Sequence, residues 1–185
     1  MNEILSPFSD LHEEIQNRRV ALHRKRESKR MLGSTVQILV VLAVLLCIFL
    51  IFFRFRIAKG NGMYPAVLDG DLVLCFHKSE FVKNDIVFYT VNGTEYLGRV
   101  AAVGGDILDI SDEGVLTVNG TVQAGEIDFP TFPADDWDGA VIVPPDSVFV
   151  LGDYRTQTRD SRDFGCIPLK DVKWKAVTIL RHRKL

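Results

Sequence analysis

Between Met31 and Phe53 the chain carries no charged side chain, and from Ile38 to Phe53 it is almost wholly apolar. As a helix rising ~1.5 Å per residue, a run of 23 residues crosses a hydrocarbon layer ~30 Å thick. This one feature divides the 185 residues into three: an arm over 1–30, a transmembrane signal anchor over 31–55 and an extracytoplasmic domain over 56–185. The competing reading as a core helix fails because so small a domain cannot cover such a helix on all sides. A cleaved signal peptide also fits poorly. The apolar run is too long, and no small-x-small site follows it in Phe53-Arg54-Phe55-Arg56.

Flanking charge sets the expected orientation. Arg18, Arg19, Arg24, Lys25, Arg26, Lys29 and Arg30 precede the span, whereas only Arg54, Arg56 and Lys59 follow closely. Seven against three places the N-terminus in the cytoplasm and the C-terminal domain outside, in a single-pass arrangement at the cell membrane. The formal net charge of −2 does not point to nucleic acid. Its basic cluster is juxtamembrane, where topology and anionic lipid of the bilayer account for it. Of the three cysteines, Cys47 lies in the span. Cys75 and Cys166 are read either as a pair or as two separate buried thiols, and the sequence leaves both open.

From Ile57 onwards the texture is β. Asp71–Phe76, Asp85–Val91, Glu95–Val103, Ile107–Ile110, Val115–Val118 and Ser147–Leu151 read as strands. Asp69-Gly70, Asn92-Gly93, Gly104-Gly105-Asp106 and Asn119-Gly120 punctuate them. The two Asn-Gly pairs suit the positive φ angles of type I′ hairpin turns. Each also forms an Asn-Gly-Thr glycosylation sequon, relevant only in a glycosylating host. The expected fold is mainly β, two packed antiparallel sheets preceded by one transmembrane helix. Residues 124–146, with Phe129, Phe132, Trp137 and an acidic run, read either as an ordered surface loop or lid or as a variable excursion with no role. Leu11, Ile15 and Leu22 in the arm allow an interfacial helix or a solvated tail.

Three blocks carry a resemblance. The first runs Gly60-Asn61-Gly62-Met63-Tyr64-Pro65, then Asp69-Gly70-Asp71. The second runs Gly98-Arg99-Val100-Ala101-Ala102-Val103-Gly104-Gly105-Asp106. The third runs Gly152-Asp153-Tyr154-Arg155-Thr156-Gln157-Thr158-Arg159-Asp160-Ser161-Arg162, ending at Gly165. In this order, behind such an anchor, they resemble type I signal peptidases over about residues 57–183. The family's pattern has Ser-Met-x-Pro in the first block, Lys-Arg-(Val/Ile)-x-Gly-x-Pro-Gly-Asp in the second and Gly-Asp-Asn-Arg-x-x-Ser-x-Asp-Ser-Arg in the third. Here Gly62 stands at the serine position and Gly98 at the lysine position. Ala102 replaces a glycine, Gly104 the proline, Tyr154 the asparagine and Thr158 a serine.

The family's chemistry needs a hydroxyl whose proton passes to a lysine held neutral by burial, with backbone N–H groups holding the oxyanion. Gly62 has no hydroxyl and Gly98 has no amine. Arg99 cannot act as the base, because guanidinium stays protonated. The hydroxyls of Tyr64, Thr158 and Ser161 match family positions that do not face the scissile bond, and Cys75 is a strand away. The catalytic set is therefore empty, and no cofactor or metal is implied. Asn61, Gly62, Met63 and Pro65 are expected to line a substrate groove. Arg99, Asp153, Arg155, Thr158, Asp160, Ser161 and Arg162 are expected to be structural. In the family the Asp160 and Arg162 positions form a scaffold ion pair, and the Thr158 hydroxyl position orients the lysine. The glycines also have plainer readings, as a turn residue and a β-bulge, or as deliberate substitutions.

The resemblance thus implies a non-catalytic binder of signal-peptide or pilin precursors, similar to the dyad-lacking signal-peptidase-like assembly factors of sortase-built pili in Gram-positive bacteria. Secretory or pilin precursors, pilin subunits and a sortase are the implied partners. The alternative is an active signal peptidase I, a serine endopeptidase cleaving secreted precursors. Self-cleaving repressors with a related Ser–Lys fold are disfavoured by the membrane span and the lack of a DNA-binding head.

Overall fold

A computed structural model describes residues 18–19, 31, 34–78, 80–123, 127 and 129–181. The chain forms two compact units, Met1–Ile51 and Phe52–Leu185. The interfacial helix considered for residues 11–22 lies outside the described residues except for Arg18 and Arg19.

In the first unit, helix α1 (Ser34–Phe52) is long and apolar enough to cross a membrane, with mean hydropathy 3.1. Its large apolar side chains are exposed throughout, as expected of a helix whose partner is lipid rather than protein. The helix ends earlier than the anchor boundary read from sequence. Phe53–Ile57 is already strand β1, and its alternation of aromatic or aliphatic residues with arginine explains the switch.

In the second unit, strands β2 (Leu72–His77), β3 (Ile86–Val91), β4 (Thr94–Val103), β9 (Ser147–Leu151), β10 (Ile167–Pro168) and β11 (Val172–Leu180) join β1 in a seven-stranded sheet ordered β1-β2-β11-β3-β4-β9-β10. Strands β5 (Ile107–Ile110), β6 (Leu116–Val118), β7 (Thr121–Val122) and β8 (Val141–Ile142) form a four-stranded sheet ordered β7-β6-β5-β8. Every pairing is antiparallel, so the expected class, mainly β with two antiparallel sheets behind one apolar helix, holds.

Asn92 and Gly93, and likewise Asn119 and Gly120, have positive φ, the backbone that closes a type I′ hairpin. Between the sheets, Ala101, Ala102, Phe149 and Leu151 of the large sheet pack on Leu108, Ile110, Leu116 and Val118 of the small one. Strand β9 is buried along its whole length, which explains its unbroken apolar run. The expected 124–146 loop contains β8. Its Trp137 packs edge-on to Phe149 with ring centroids 6.1 Å apart, while residues 124–126 and 128 lie outside the described residues. Cys75 and Cys166 are both free thiols, the second of the two readings.

Candidate functional site

The turn holding Gly62 is built locally. Tyr64 N–H donates to Asn61 O at 3.0 Å and Val67 N–H to Met63 O at 2.8 Å. Met63 and Val67 drop into a core cluster with Val73, Cys75, Phe88 and Trp174. Met63 is 2 % exposed, so its side chain belongs to the core; the groove role expected for it is not available to a buried thioether. Asn61, Tyr64 and Pro65 remain at the surface. Asn61 Oδ1 accepts from Asp69 N–H at 3.4 Å, and Gly62 O accepts from Tyr154 N–H at 3.0 Å, which ties the turn to the third sequence block.

Gly98 lies in β4 opposite Val87. A Cβ there would stand 2.5 Å from Val150 Cγ1 and 3.2 Å from both Leu151 O and Tyr89 Cε1. A Cβ on Gly62 would stand 2.7 Å from Thr158 Cγ2. Gly152 is as tightly held, its own Cβ position lying 2.7 Å from Gly62 O and closer still to Thr158 Cγ2. The end of β9, Val150 to Gly152, therefore meets both glycines, and the structure brings together the two positions the sequence singled out. It also shows what fills them: the Thr158 methyl at one, Val150 and the Tyr89 ring at the other.

Thr158 Oγ1 donates to Tyr154 O at 3.0 Å and lies 3.3 Å from Asp160 Oδ2. Its hydroxyl is spent on its own loop, and its methyl is the part turned to Gly62. Burial pushes the Tyr89 phenol well above its ordinary value, with the charges of Asp160, Tyr96 and Asp163 adding to the effect. Burial likewise pushes the Cys75 thiol up to about 11 and raises that of Cys166. At neutral pH all three stay protonated, and of the three only Tyr89 lies against one of the glycines.

The scaffold residues divide unequally. Arg99 holds Asp153 side-on, Nε to Oδ1 at 2.8 Å and Nη2 to Oδ2 at 2.6 Å. Arg162 holds Asp160 the same way, at 2.9 Å on both prongs. Asp160 also caps the short helix α2 (Ser161–Phe164), accepting from Arg162 N–H, and it accepts from Gly152 N–H at 3.0 Å. Ser161 Oγ accepts from Val150 N–H at 2.9 Å. These contacts tie the two ends of the segment from 150 to 162 to one another. Arg155 differs. It is 6 % exposed and donates from Nη1 to Thr131 Oγ1 at 2.7 Å, yet it forms no ion pair among the described residues.

Sequence reasoning missed two features. One is the filling of the glycine positions by Tyr89 and Val150, which sequence spacing does not reveal. The other is an aromatic trio beside Gly62, in which Phe129 stands 4.7 Å from Tyr154 and Tyr64 stands 5.9 Å from Tyr154, centroid to centroid. Tyr154 replacing an asparagine was the available signal. Gly104 has its own reason: a Cβ there would overlap the Pro145 backbone, so the proline of the family pattern has no room.

Comparison with known proteins follows the same lines. The chain is 32% identical over 132 residues to a probable thylakoidal processing peptidase 2 of Arabidopsis thaliana, covering 64% of this chain and 35% of that one. Thylakoidal processing peptidase 1 of the same plant is 30% identical over 149 residues, covering 69% and 43%. The chain thus spans less than half the length of these two plant relatives. Signal peptidase I of Bacillus caldolyticus is 27% identical over 172 residues, covering 82% and 91%. A crystal structure of a signal peptidase I from Enterococcus faecalis aligns with a TM-score of 0.43 at 21% identity, covering 54% of this chain and 97% of that one. The family model for signal peptidase, peptidase S26, matches residues 30–180. That stretch holds the apolar helix, both glycines and the ion-paired third block, and the chain belongs to the signal peptidase family, peptidase S26.

Proposed function

We propose that this member of the family is a non-catalytic, membrane-anchored protein that binds extended segments of secretory or pilin precursors and assists their export or assembly. The observation that carries the reading is the packing at Gly62 and Gly98. Neither position has a side chain, and both are occupied by neighbours at van der Waals range or closer to any Cβ. The Thr158 methyl, which a serine would lack, is the group that meets Gly62. Loss at one position is thus matched by gain at another, as in a site that has settled around its missing groups. The intact ion pairs of Arg99 with Asp153 and of Arg162 with Asp160 support a fold kept for binding.

In this reading Asn61, Tyr64 and Pro65 border the peptide groove, and backbone groups hold the client by strand addition. The arm faces the cytoplasm, α1 spans the bilayer and the β domain lies outside, where pilin subunits and a sortase are the partners. The test uses the full chain in detergent with a preprotein bearing a small-x-small site and with a pilin precursor. The expected result is no cleavage, with binding of micromolar strength or weaker that is abolished by Gly62→Phe. Catalytic cleavage by the wild-type chain would overturn the reading in favour of an active signal peptidase I. Binding unchanged by Gly62→Phe would move the client to another surface.

A further inference from the structure

The chain holds three Asn-Gly pairs, Asn61-Gly62, Asn92-Gly93 and Asn119-Gly120. An asparagine followed by glycine is open to an uncatalysed reaction. The glycine amide nitrogen loses its proton and attacks the asparagine Cγ. The Cγ–Nδ2 bond breaks, ammonia leaves and a five-membered succinimide remains. Water then opens the ring at either carbonyl, giving aspartate or isoaspartate. Glycine permits this best because it has no Cβ to shield its nitrogen. The first pair exists only because glycine stands at the serine position of the family pattern.

The fold treats the three pairs differently. Ring closure needs the glycine nitrogen on the same side of the asparagine Cα–C bond as Cβ. Asn92 and Asn119 have φ of 49° and 53° and close type I′ turns, a backbone that puts that nitrogen nearly opposite Cβ. Strand pairing holds both turns in place, Val91 with Thr94 and Val118 with Thr121. Asn119 is held further. Its Nδ2 donates to Asp106 Oδ1 at 2.6 Å, and its Oδ1 accepts from Ile107 N–H at 2.9 Å. The adjacent carboxylate also opposes an anionic intermediate.

Asn61 is exposed and lies outside the left-handed region. Its Oδ1 takes one long hydrogen bond, from Asp69 N–H at 3.4 Å, and its Nδ2 has no hydrogen-bond partner among the described residues. Gly62 N–H donates to nothing among the described residues, because the contact tying Gly62 to the third block is made by its carbonyl. Nucleophile and leaving group are thus both free at this pair, and no left-handed turn holds nitrogen and Cγ apart.

We propose that Asn61 is a site of spontaneous deamidation, which places aspartate or isoaspartate beside Gly62 while Asn92 and Asn119 stay intact. The product adds one negative charge to the surface of the turn. The isoaspartate form also adds a methylene to the main chain between residues 61 and 62, in a turn closed by Tyr64 N–H on Asn61 O at 3.0 Å. The vacated nucleophile position thereby acquires a slow covalent change of its own, whether or not precursors bind there.

The experiment incubates the full chain in detergent at mildly alkaline pH, folded in buffer or unfolded in urea. Proteolysis and mass spectrometry follow each pair, with electron-transfer fragmentation separating aspartate from isoaspartate. The urea arm supplies the rate that sequence alone sets at each pair. Relative to that rate, Asn61 in the folded chain is expected to convert at least ~10-fold faster than Asn92 and Asn119, whose rings close only after the hairpins open. Equal relative rates at Asn61 and either hairpin pair would overturn the proposal. So would an Asn61 that converts in urea and stays intact in the folded chain. Gly62→Ala should slow conversion at Asn61 even in urea, where folding plays no part, because the new Cβ shields the nitrogen. An unchanged rate there would show that the reaction does not pass through the residue 62 nitrogen, and the proposal would fall.

Discussion

The two regions fed by the segment from Val150 to Arg162 stand in contrast. At Gly62 and Gly98 the polar groups are absent and the space is closed by a methyl, a valine and a tyrosine ring. At Arg155 the polar group is present and buried, held by one hydrogen bond from Nη1 to Thr131 Oγ1, with Nε unpartnered. Apolar neighbours readily relax into the room left by a missing side chain, because each contact regained is favourable. A buried guanidinium does not permit the same relaxation: covering it with apolar atoms leaves its donors unsatisfied.

The sharpest way to break the contrast is to put the chemistry back. Gly62→Ser with Gly98→Lys is expected to leave preprotein cleavage at background, because the new side chains meet Thr158, Val150 and Tyr89. Adding Thr158→Ser and Val150→Ala relieves the closest contact at each position, and cleavage is expected only then, since groups acting as a unit are non-additive. Turnover by the double variant alone, in a gel-based processing assay, would show that the packing yields easily and that the closed region is not closed.

Next in size is the cost of Gly98→Lys by itself. Overpacking beside Leu151 O and the Tyr89 ring, together with burial of an unpaired ammonium, should lower stability by about 3 kcal/mol or more, read as a fall in the urea midpoint. Only a small change in midpoint would mean that β4 and β9 part readily there.

A double-mutant cycle measures the match between Gly62 and Thr158. Gly62→Ala alone should destabilise by about 1–2 kcal/mol, through the 2.7 Å contact with Thr158 Cγ2. Thr158→Ser alone should cost about 1 kcal/mol for its buried methyl. The two together should cost less than their sum by about 1 kcal/mol. Strict additivity would remove the argument that the two positions compensate one another.

The smallest effect controls for the rest of the domain. Burial alone would raise the Asp106 pKa. The hydrogen bonds from Val103 N–H and Asn119 Nδ2 and the nearby Lys83 outweigh it and hold the carboxyl below its ordinary 3.8. Because the folded value lies below the unfolded one, this contribution is present above about pH 4 and is lost as pH falls through the folded pKa. Asp106→Asn should therefore cost about 1 kcal/mol at pH 7 and progressively less towards pH 2, measured by thermal unfolding across that range.

Much of the fold was legible because its strands obey local rules. The strands read at 107–110 and 147–151 match β5 and β9 to the residue, and both Asn-Gly turns adopt the expected backbone. Three strands of the large sheet were missed: β10 is only two residues long, and the other two were hidden for different reasons. β1 follows the apolar span without a break, so helix and strand merge in composition. β11 carries a register shift between Ala176 and Thr178, which spoils the period-two pattern after Trp174. At the site, sequence identified the positions that lack side chains but not what occupies them, because Tyr89 and Val150 reach Gly98 only through cross-strand register. Arg155 was grouped with its ion-paired neighbours, since pairing depends on where a fork points, and spacing along the chain does not encode that.

Strand β11 lies between β2 and β3, although 80 residues or more separate it from each in the chain. In a polypeptide made from its N-terminus, the two halves of the large sheet wait for residues 172–180 before they can be joined. Until that moment β2 and β3 each present an unpaired edge, and such long-range pairing is slow to form. The domain would then acquire its large sheet only once residues 172–180 had been made. Premature termination anywhere upstream of Val172 would yield an unzipped product, open to proteolysis along both unpaired edges.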